Sequence, residues 1–325
     1  MHGPVFVAGL ERTGTSLMYA LLASHPRIAM TRRTNLWTHF YGQYGDLGDD
    51  ANLERCLDTM MRYRRIVKLR PDRERLRHEF RTGERTYGRL FALLSQQHAE
   101  RLGKPRWGDK SLNTERYARP IFDAYPDARI LHMIRDPRDR FASSLTRWQR
   151  RRGGIGAGTA EWLASARLAL RNARDHPDAY RLIRYETVVS APEQSMRDVC
   201  DFIDEPFAPE MLSLQGAPQF SGRGSNSSYG QRAPGTITTT SVGRFRDVLS
   251  PRQVAFVQRL AGDQMAHFGY EPDPVPLPPG GWVRFAVETV PLETARLLAW
   301  RAREAVHDRK GRPVPAYRLV EGARS

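Results

Sequence analysis

The sequence predicts an α/β fold: a three-layer, mostly parallel sheet with helices on both faces. Three observations predict it. Short apolar runs without polar alternation recur, at Val5–Ala8 and again at Arg129–Ile134, the pattern of strands buried on both sides. Helical periodicity alternates with these runs, as a parallel sheet joined by crossovers requires. The first run ends at Gly9. A glycine and hydroxyl turn comes next, then Leu17, Met18, Leu21 and Leu22 at helical spacing.

Along the chain, residues 51–68 read as helical (Leu53, Leu57, Met60, Met61, Ile66), as do 86–101, with Leu90, Phe91, Leu94 and His98 along one face. After the strand at 129–134, Pro137 opens a helix expected to run through Trp148. Residues 153–158 are a glycine-rich break, 161–174 a helix, 180–185 a short strand and 192–203 a helix. The polar stretch 216–240 reads as a long loop, a length usual for lids or disordered segments. A core helix at 251–268, a Pro- and Gly-rich linker at 272–281 and an amphipathic helix at 293–307 complete the chain. The division expected is a main domain over 1–275, with a helical insert at 35–105, and a linker and C-terminal helix over 276–325. That last part is expected to pack on the core, cap a site or build a homodimer.

Composition bounds the function. The chain has 325 residues, 40% of them apolar, enough for a substantial core. It has no apolar run long enough to span a membrane. The first strand begins within a few residues of the start, and Glu11 and Arg12 interrupt the apolar stretch after it, so no signal peptide is expected. Cys56 and Cys200 lie far apart, which points to a reducing compartment, with the cytoplasm as the expected location. The net charge is +15, from 51 basic and 36 acidic residues. Only Lys68, Lys104, Lys110 and Lys310 are lysines, and the arginines spread along the chain. The charge reads either as a solvated basic surface or as attraction for a polyanionic small molecule or acidic partner.

The segment from Gly9 to Ser16 (Gly-Leu-Glu-Arg-Thr-Gly-Thr-Ser) is a strand–glycine loop–helix unit, whose backbone N–H groups face an anion. The fold class is therefore like that of P-loop nucleotide hydrolases. Those carry G-x-x-x-x-G-K-S/T, where Lys reaches the β- and γ-phosphates. Thr15 stands at that Lys position here, and Arg12 is the nearest cation. The loop suits a phosphate but lacks the usual group for a γ-phosphate, away from ATP and GTP chemistry. A second candidate anion site comes after the strand at 129–134. Arg135 stands at its carboxyl end, where ligands of such sheets bind. Ser143 comes about two helical turns later. Alternatively, Asp136 and Asp139 neutralise these arginines in a salt-bridged helix start.

Together the two sites resemble the cytosolic and Golgi sulfotransferases, most closely the bacterial members. The patterns are G-x-x-R-S/T-G-T-S/T and R-D-P-R-D-x-x-x-S. The resemblance continues in Trp107-Gly108-Asp109-Lys110-Ser111, Arg184-Tyr185-Glu186 and Ser241-Val242-Gly243-Arg244-Phe245-Arg246, in family order from residue 4 to about 270. It implies a sulfotransferase that moves a sulfuryl group from 3′-phosphoadenosine 5′-phosphosulfate to a hydroxyl or amine, leaving 3′,5′-adenosine bisphosphate and needing no metal. It implies that Glu11, Arg12, Thr13, Gly14, Thr15 and Ser16 wrap the 5′-phosphosulfate. Arg135, Ser143 and Arg244 would hold the 3′-phosphate, and Tyr185 would lie near the adenine.

In-line displacement at sulfur demands positioning and positive charge and a base for the acceptor's proton. Lys110 is the candidate for charge on the bridging oxygen, since a compact ammonium suits a point-charge role. Related enzymes carry a Glu past a His-Pro pair. Here the segment after His25-Pro26 offers Arg33 at the aligned position. Asp109 and then His39 are the candidate bases in its place. The acceptor is expected to be a small molecule or carbohydrate, in a pocket formed by the insert at 35–105 and the loop at 216–240. Two other classes compete: an atypical P-loop small-molecule kinase, and a basic nucleic-acid-binding protein. The missing loop Lys and the second anion site weigh against the first. The second would need a basic stripe interleaved with stacking aromatics, which the sequence lacks, so nucleic acid is not an expected partner.

Overall fold

The computed structural model describes residues 3–147, 154–217 and 236–320. Five parallel strands form one sheet: β1 (Val5–Ala8), β2 (Ile28–Arg32), β3 (Arg106–Lys110), β4 (Arg129–Ile134) and β5 (Tyr180–Arg184), in the order β2-β3-β1-β4-β5. The α/β class and the mostly parallel sheet are as the sequence predicts.

Alternation across the pleat sends successive residues to opposite faces. Val5, Val7, Leu131 and Met133 pack with the helix Thr15–Ala23, while Phe6, Ala8 and Ile130 pack with the helices between β2 and β3. A third apolar cluster joins Pro137–Arg147, Gly154–Asp175 and Pro251–His267 beside the sheet.

Strand β3 carries no strand signal of its own. β3 reads Arg-Trp-Gly-Asp-Lys, poor in strand formers. Tertiary packing creates it: a Cβ on Gly108 would lie 2.4 Å from the Val5 carbonyl oxygen and 2.5 Å from the Met30 sulfur. Only glycine allows so close an approach at the centre of the sheet.

Two expectations need correcting. The helix at 51–68 is two, Asp50–Arg62 and Arg64–Val67, broken at Tyr63 (φ −75, ψ 115). Asn35 Nδ2 donates to the Tyr63 hydroxyl at 2.7 Å, and Tyr63 forms an isolated antiparallel bridge with Leu319. Tertiary contacts thus override a continuous helical pattern. The glycine-rich break at 153–158 is instead the start of the 22-residue helix Gly154–Asp175. Its glycines make room for the C-terminal helix Val290–Lys310: a Cβ on Gly156 would stand 1.9 Å from the Glu293 carbonyl oxygen. Trp148 and most of the loop 216–240 lie outside the described residues.

The C-terminal helix packs on Gly154–Asp175, and Arg116 ties it down through Glu304 (2.7 Å) and Asp308 (2.9 Å). The chain after it returns to the insert, where Val320 N donates to the Arg62 carbonyl at 2.8 Å. Among the described residues no helix is long and apolar enough to cross a membrane.

Candidate functional site

The loop after β1 is shaped by backbone conformations that favour glycine. Gly9 has φ 114 and Gly14 φ 93, and Arg12 takes φ 72 between them, a costly conformation for a residue with a Cβ. Thr13 closes the turn, its hydroxyl donating to the Leu10 carbonyl at 2.8 Å. The helix Thr15–Ala23 starts directly behind, with Leu17 N and Met18 N donating to the Gly14 carbonyl at 2.9 and 3.1 Å; a helix start leaves its earliest amides without intrahelical acceptors, the groups an anion site uses. A Cβ on Gly14 would lie 2.5 Å from the Tyr185 ring, so Tyr185 is packed against the loop.

Glu115 supports this loop from below. It is buried, accepts from Gly9 N at 3.2 Å and from Ser165 Oγ at 2.9 Å, and Ser165 in turn meets His132 Nε2 at 3.2 Å. Nothing local in the sequence marks it, because its partners lie 106 and 50 residues away.

The second candidate site reaches the same place. Arg12 Nε donates to Ser143 Oγ at 2.9 Å, and Arg135 Nη1 donates to the Arg12 carbonyl at 3.2 Å. The Arg135 guanidinium lies 4.4 Å from the Tyr185 ring centroid and donates to the Ser241 carbonyl, while its buried Nε has no hydrogen-bond partner among the described residues. Tyr185 and Ser241 hydroxyls meet at 2.7 Å. Asp139 accepts from Gly243 N (2.7 Å) and Phe245 N (2.9 Å), which fastens the turn carrying Arg244. Burial pushes the Asp139 carboxyl up to about 6, against the opposing pull of Arg135. Asp136 instead neutralises Arg138, at 2.7 Å. Asp139 also comes within 4.0 Å of Arg135, so the salt-bridged helix start includes both arginines.

Lys110 ends β3 next to the loop, paired in register with Val7. It is 1% exposed, and burial, reinforced by Arg33 and Arg32, pushes its ammonium down to about 7. Asp109, its neighbour, is also buried. It accepts from Thr31 Oγ1 at 2.6 Å and Thr34 Oγ1 at 2.8 Å, and burial raises its pKa despite these bonds. That carboxylate braces the chain leaving β2, which leaves it poorly placed to take an acceptor's proton. His39 is also engaged at both nitrogens. Arg318 donates to Nε2 at 3.1 Å, so Nδ1 carries the proton it gives to the Arg312 carbonyl at 2.7 Å. Burial holds its pKa below the usual value. Trp37 is buried against Phe91 at 5.3 Å, and Trp107 is partly buried on Phe6 at 5.8 Å. Among the described residues there is no group of three or more His, Cys, Asp or Glu that could hold a metal.

With this geometry established, comparison with known proteins is decisive. The profile of the sulfotransferase family matches residues 4–209. The chain belongs to the sulfotransferase family. Its relatives include protein-tyrosine sulfotransferase A of Caenorhabditis elegans, 24% identical over 216 residues, covering 64% of this chain and 51% of that protein. The protein-tyrosine sulfotransferase of Drosophila melanogaster is 23% identical over 216 residues, covering 64% of this chain and 39% of that protein. The chain thus spans about half the length, or less, of these two curated relatives. The sulfotransferase domain of the Synechococcus PCC 7002 olefin synthase superposes with TM-score 0.57 at 21% identity, covering 82% of this chain and 94% of that one. The sulfotransferase domain of the curacin biosynthetic pathway gives 0.53 at 18%, covering 84% and 99%. These two structures share the fold.

This sulfotransferase-family chain has a cavity of about 480 Å3 beside the loop. Glu11 is the one carboxylate among its lining residues, and Arg33 lies 3.6 Å from it. The tail after the C-terminal helix supplies part of the wall through Arg312, Tyr317 and Arg318.

Proposed function

We propose that the chain transfers a sulfuryl group from 3′-phosphoadenosine 5′-phosphosulfate to a hydroxyl or amine, releasing 3′,5′-adenosine bisphosphate. The observation that carries this reading is the convergence of Arg12, Ser143, Arg135 and Tyr185 at the carboxyl ends of β1 and β4. In it, the loop Gly9–Ser16 wraps the 5′-phosphosulfate, and Arg135, Ser143 and Arg244 hold the 3′-phosphate. The insert at 35–105 and the segment 276–325 flank the acceptor.

The acceptor oxygen forms a bond to sulfur as the bond from sulfur to the bridging oxygen breaks. Lys110, protonated once the donor is in place, neutralises the charge left on that oxygen. Glu11 takes the acceptor's proton: it lines the cavity and sits within the loop itself. The Arg33 guanidinium lies 3.6 Å from it. Acid and base have thus exchanged places relative to the family pattern, with Arg33 where relatives carry a carboxylate and Glu11 in the loop opposite. The relatives' names give protein tyrosine as their acceptor; the size of this cavity favours a small molecule or carbohydrate.

Calorimetry with 3′,5′-adenosine bisphosphate, against ATP with Mg2+, tests the reading. Binding of the bisphosphate and not of ATP is expected; magnesium-dependent ATP binding refutes it and favours a kinase. Glu11→Gln is expected to lower kcat by about 100-fold or more with donor affinity nearly unchanged. Wild-type turnover would remove Glu11 from the chemistry.

A further inference from the structure

The cavity beside the loop is strongly cationic. Arg33, Arg64, Arg65, Lys68, Arg312 and Arg318 face it, against Glu11 alone. Arg312 pairs with Glu304 and Arg33 with Glu11. Among the described residues, Arg64, Arg65 and Lys68 have no carboxylate within ion-pair distance. Arg33 Nε is buried without a hydrogen-bond partner among those residues. Mutual repulsion shows in Arg65, whose pKa is depressed by burial and then by Arg33, with Arg318 and Arg64 adding to it.

Another face of the same insert differs. On the outer side of the same insert the arginines are matched with acids. Arg73 and Arg77 pair with Glu54 at 2.8 and 2.7 Å, Arg75 with Glu79 at 2.7 Å, and Arg81 with Asp50 at 2.9 Å. On that outer face the arginines are neutralised, whereas beside the cavity Arg64, Arg65 and Lys68 have no carboxylate within ion-pair distance among the described residues.

Part of this wall is built by the tail, which lies beyond the family match at 4–209. His39 holds it at two points, the Arg312 carbonyl and the Arg318 guanidinium, and the Tyr63–Leu319 bridge fixes it again. The tail is therefore a fixed part of the cavity's surface. At about 480 Å3 the space matches small-molecule sites, which run to roughly 300–1,000 Å3.

We propose that this cavity binds a small acceptor carrying a multiply anionic group, carboxylate or phosphate, and that Arg312 and Arg318 of the tail help select it. The anion sits among Arg33, Arg65, Lys68 and Arg318. Glu11 repels it from the loop, so the acceptor's hydroxyl end turns toward the donor. This inference rests on the sulfuryl-transfer reading for the word acceptor; the anion site itself does not.

The test is calorimetry on the full chain saturated with 3′,5′-adenosine bisphosphate, which fills the donor's own anion sites. The probes are tricarballylate, inorganic pyrophosphate and an acidic decapeptide. One-to-one binding of tricarballylate or pyrophosphate is expected, and the stronger of the two identifies carboxylate or phosphate. Affinity should fall at least tenfold in Arg65→Glu/Lys68→Glu and in Arg318→Gln. Donor affinity should stay within twofold. Failure of both small probes to bind, binding undiminished in the variants, or binding of the peptide alone overturns the proposal. If the bisphosphate itself does not bind, the sulfuryl-transfer reading fails. The same variants titrated without it then still decide the anion site.

Discussion

Lys110 offers the sharpest test of how this site works, through its proton. Burial against Arg32 and Arg33 brings its ammonium to about 7, far below the free value of about 10.4. Above pH 7 the unfolded chain therefore binds more protons at this group than the folded one. By linkage this group makes folding stability rise with pH from about 7 to about 10. Donor binding acts in the opposite sense. An anionic phosphosulfate or phosphate beside Lys110 favours the charged form, so binding takes up a proton and is weakened as pH rises. If the bound value returns to about 10, uptake at pH 8 is about 0.9 proton, and affinity falls roughly 50-fold between pH 7 and pH 9, about 2.3 kcal/mol. The assay is calorimetry with 3′,5′-adenosine bisphosphate in buffers of different ionisation enthalpy, for the native chain and Lys110→Met. The variant removes the buried charge with a side chain one heavy atom shorter, so it should fold at least as well and show a nearly flat profile. Proton uptake near zero at pH 8 in the native chain, or the same profile in Lys110→Met, would refute the placement of Lys110 at the transferring group.

Three further outcomes are expected from the geometry. Arg135→Ala should weaken donor binding by about 2–3 kcal/mol, the scale of lost charge-assisted hydrogen bonds; unchanged affinity by calorimetry would take Arg135 out of the site. Gly14→Ala puts a Cβ 2.5 Å from the Tyr185 ring at φ 93 and should cost about 1–3 kcal/mol, seen as a lower melting temperature together with weakened donor binding. A variant with native melting and native affinity would contradict the packing of Tyr185 on the loop. Gly156→Ala forces a Cβ to within 1.9 Å of the Glu293 carbonyl. It should speed limited proteolysis in 276–325 while the rest of the chain stays protected; equal protection throughout would show that the C-terminal helix is not docked there.

Much of this was legible along the chain. The runs of β1 and β4 are apolar at almost every position, because both faces of a covered sheet exclude water. The loop was legible because glycine at φ 114 and φ 93 leaves a mark in the sequence that no other residue leaves as readily. Arg135 was legible because it stands one residue past a recognisable strand.

Other features were not, for a common reason. β3 is polar in sequence and is a strand only because Val5 and Met30 close on Gly108. Asp109 reads as a catalytic carboxylate beside Lys110, yet the pleat turns neighbours to opposite faces. Its oxygen is consumed by Thr31 and Thr34, 78 and 75 residues earlier. His39 was a candidate base until a tail some 270 residues later occupied both its nitrogens. The sequence by itself determined the layered sheet, the glycine loop after β1 and the place of Arg135 just past β4, since each depends on local periodicity or on one residue's conformational freedom. Only the tertiary structure decided which carboxylate faces the cavity and which cations stay unneutralised around it, because solvation and charge pairing depend on neighbours that the chain order does not name.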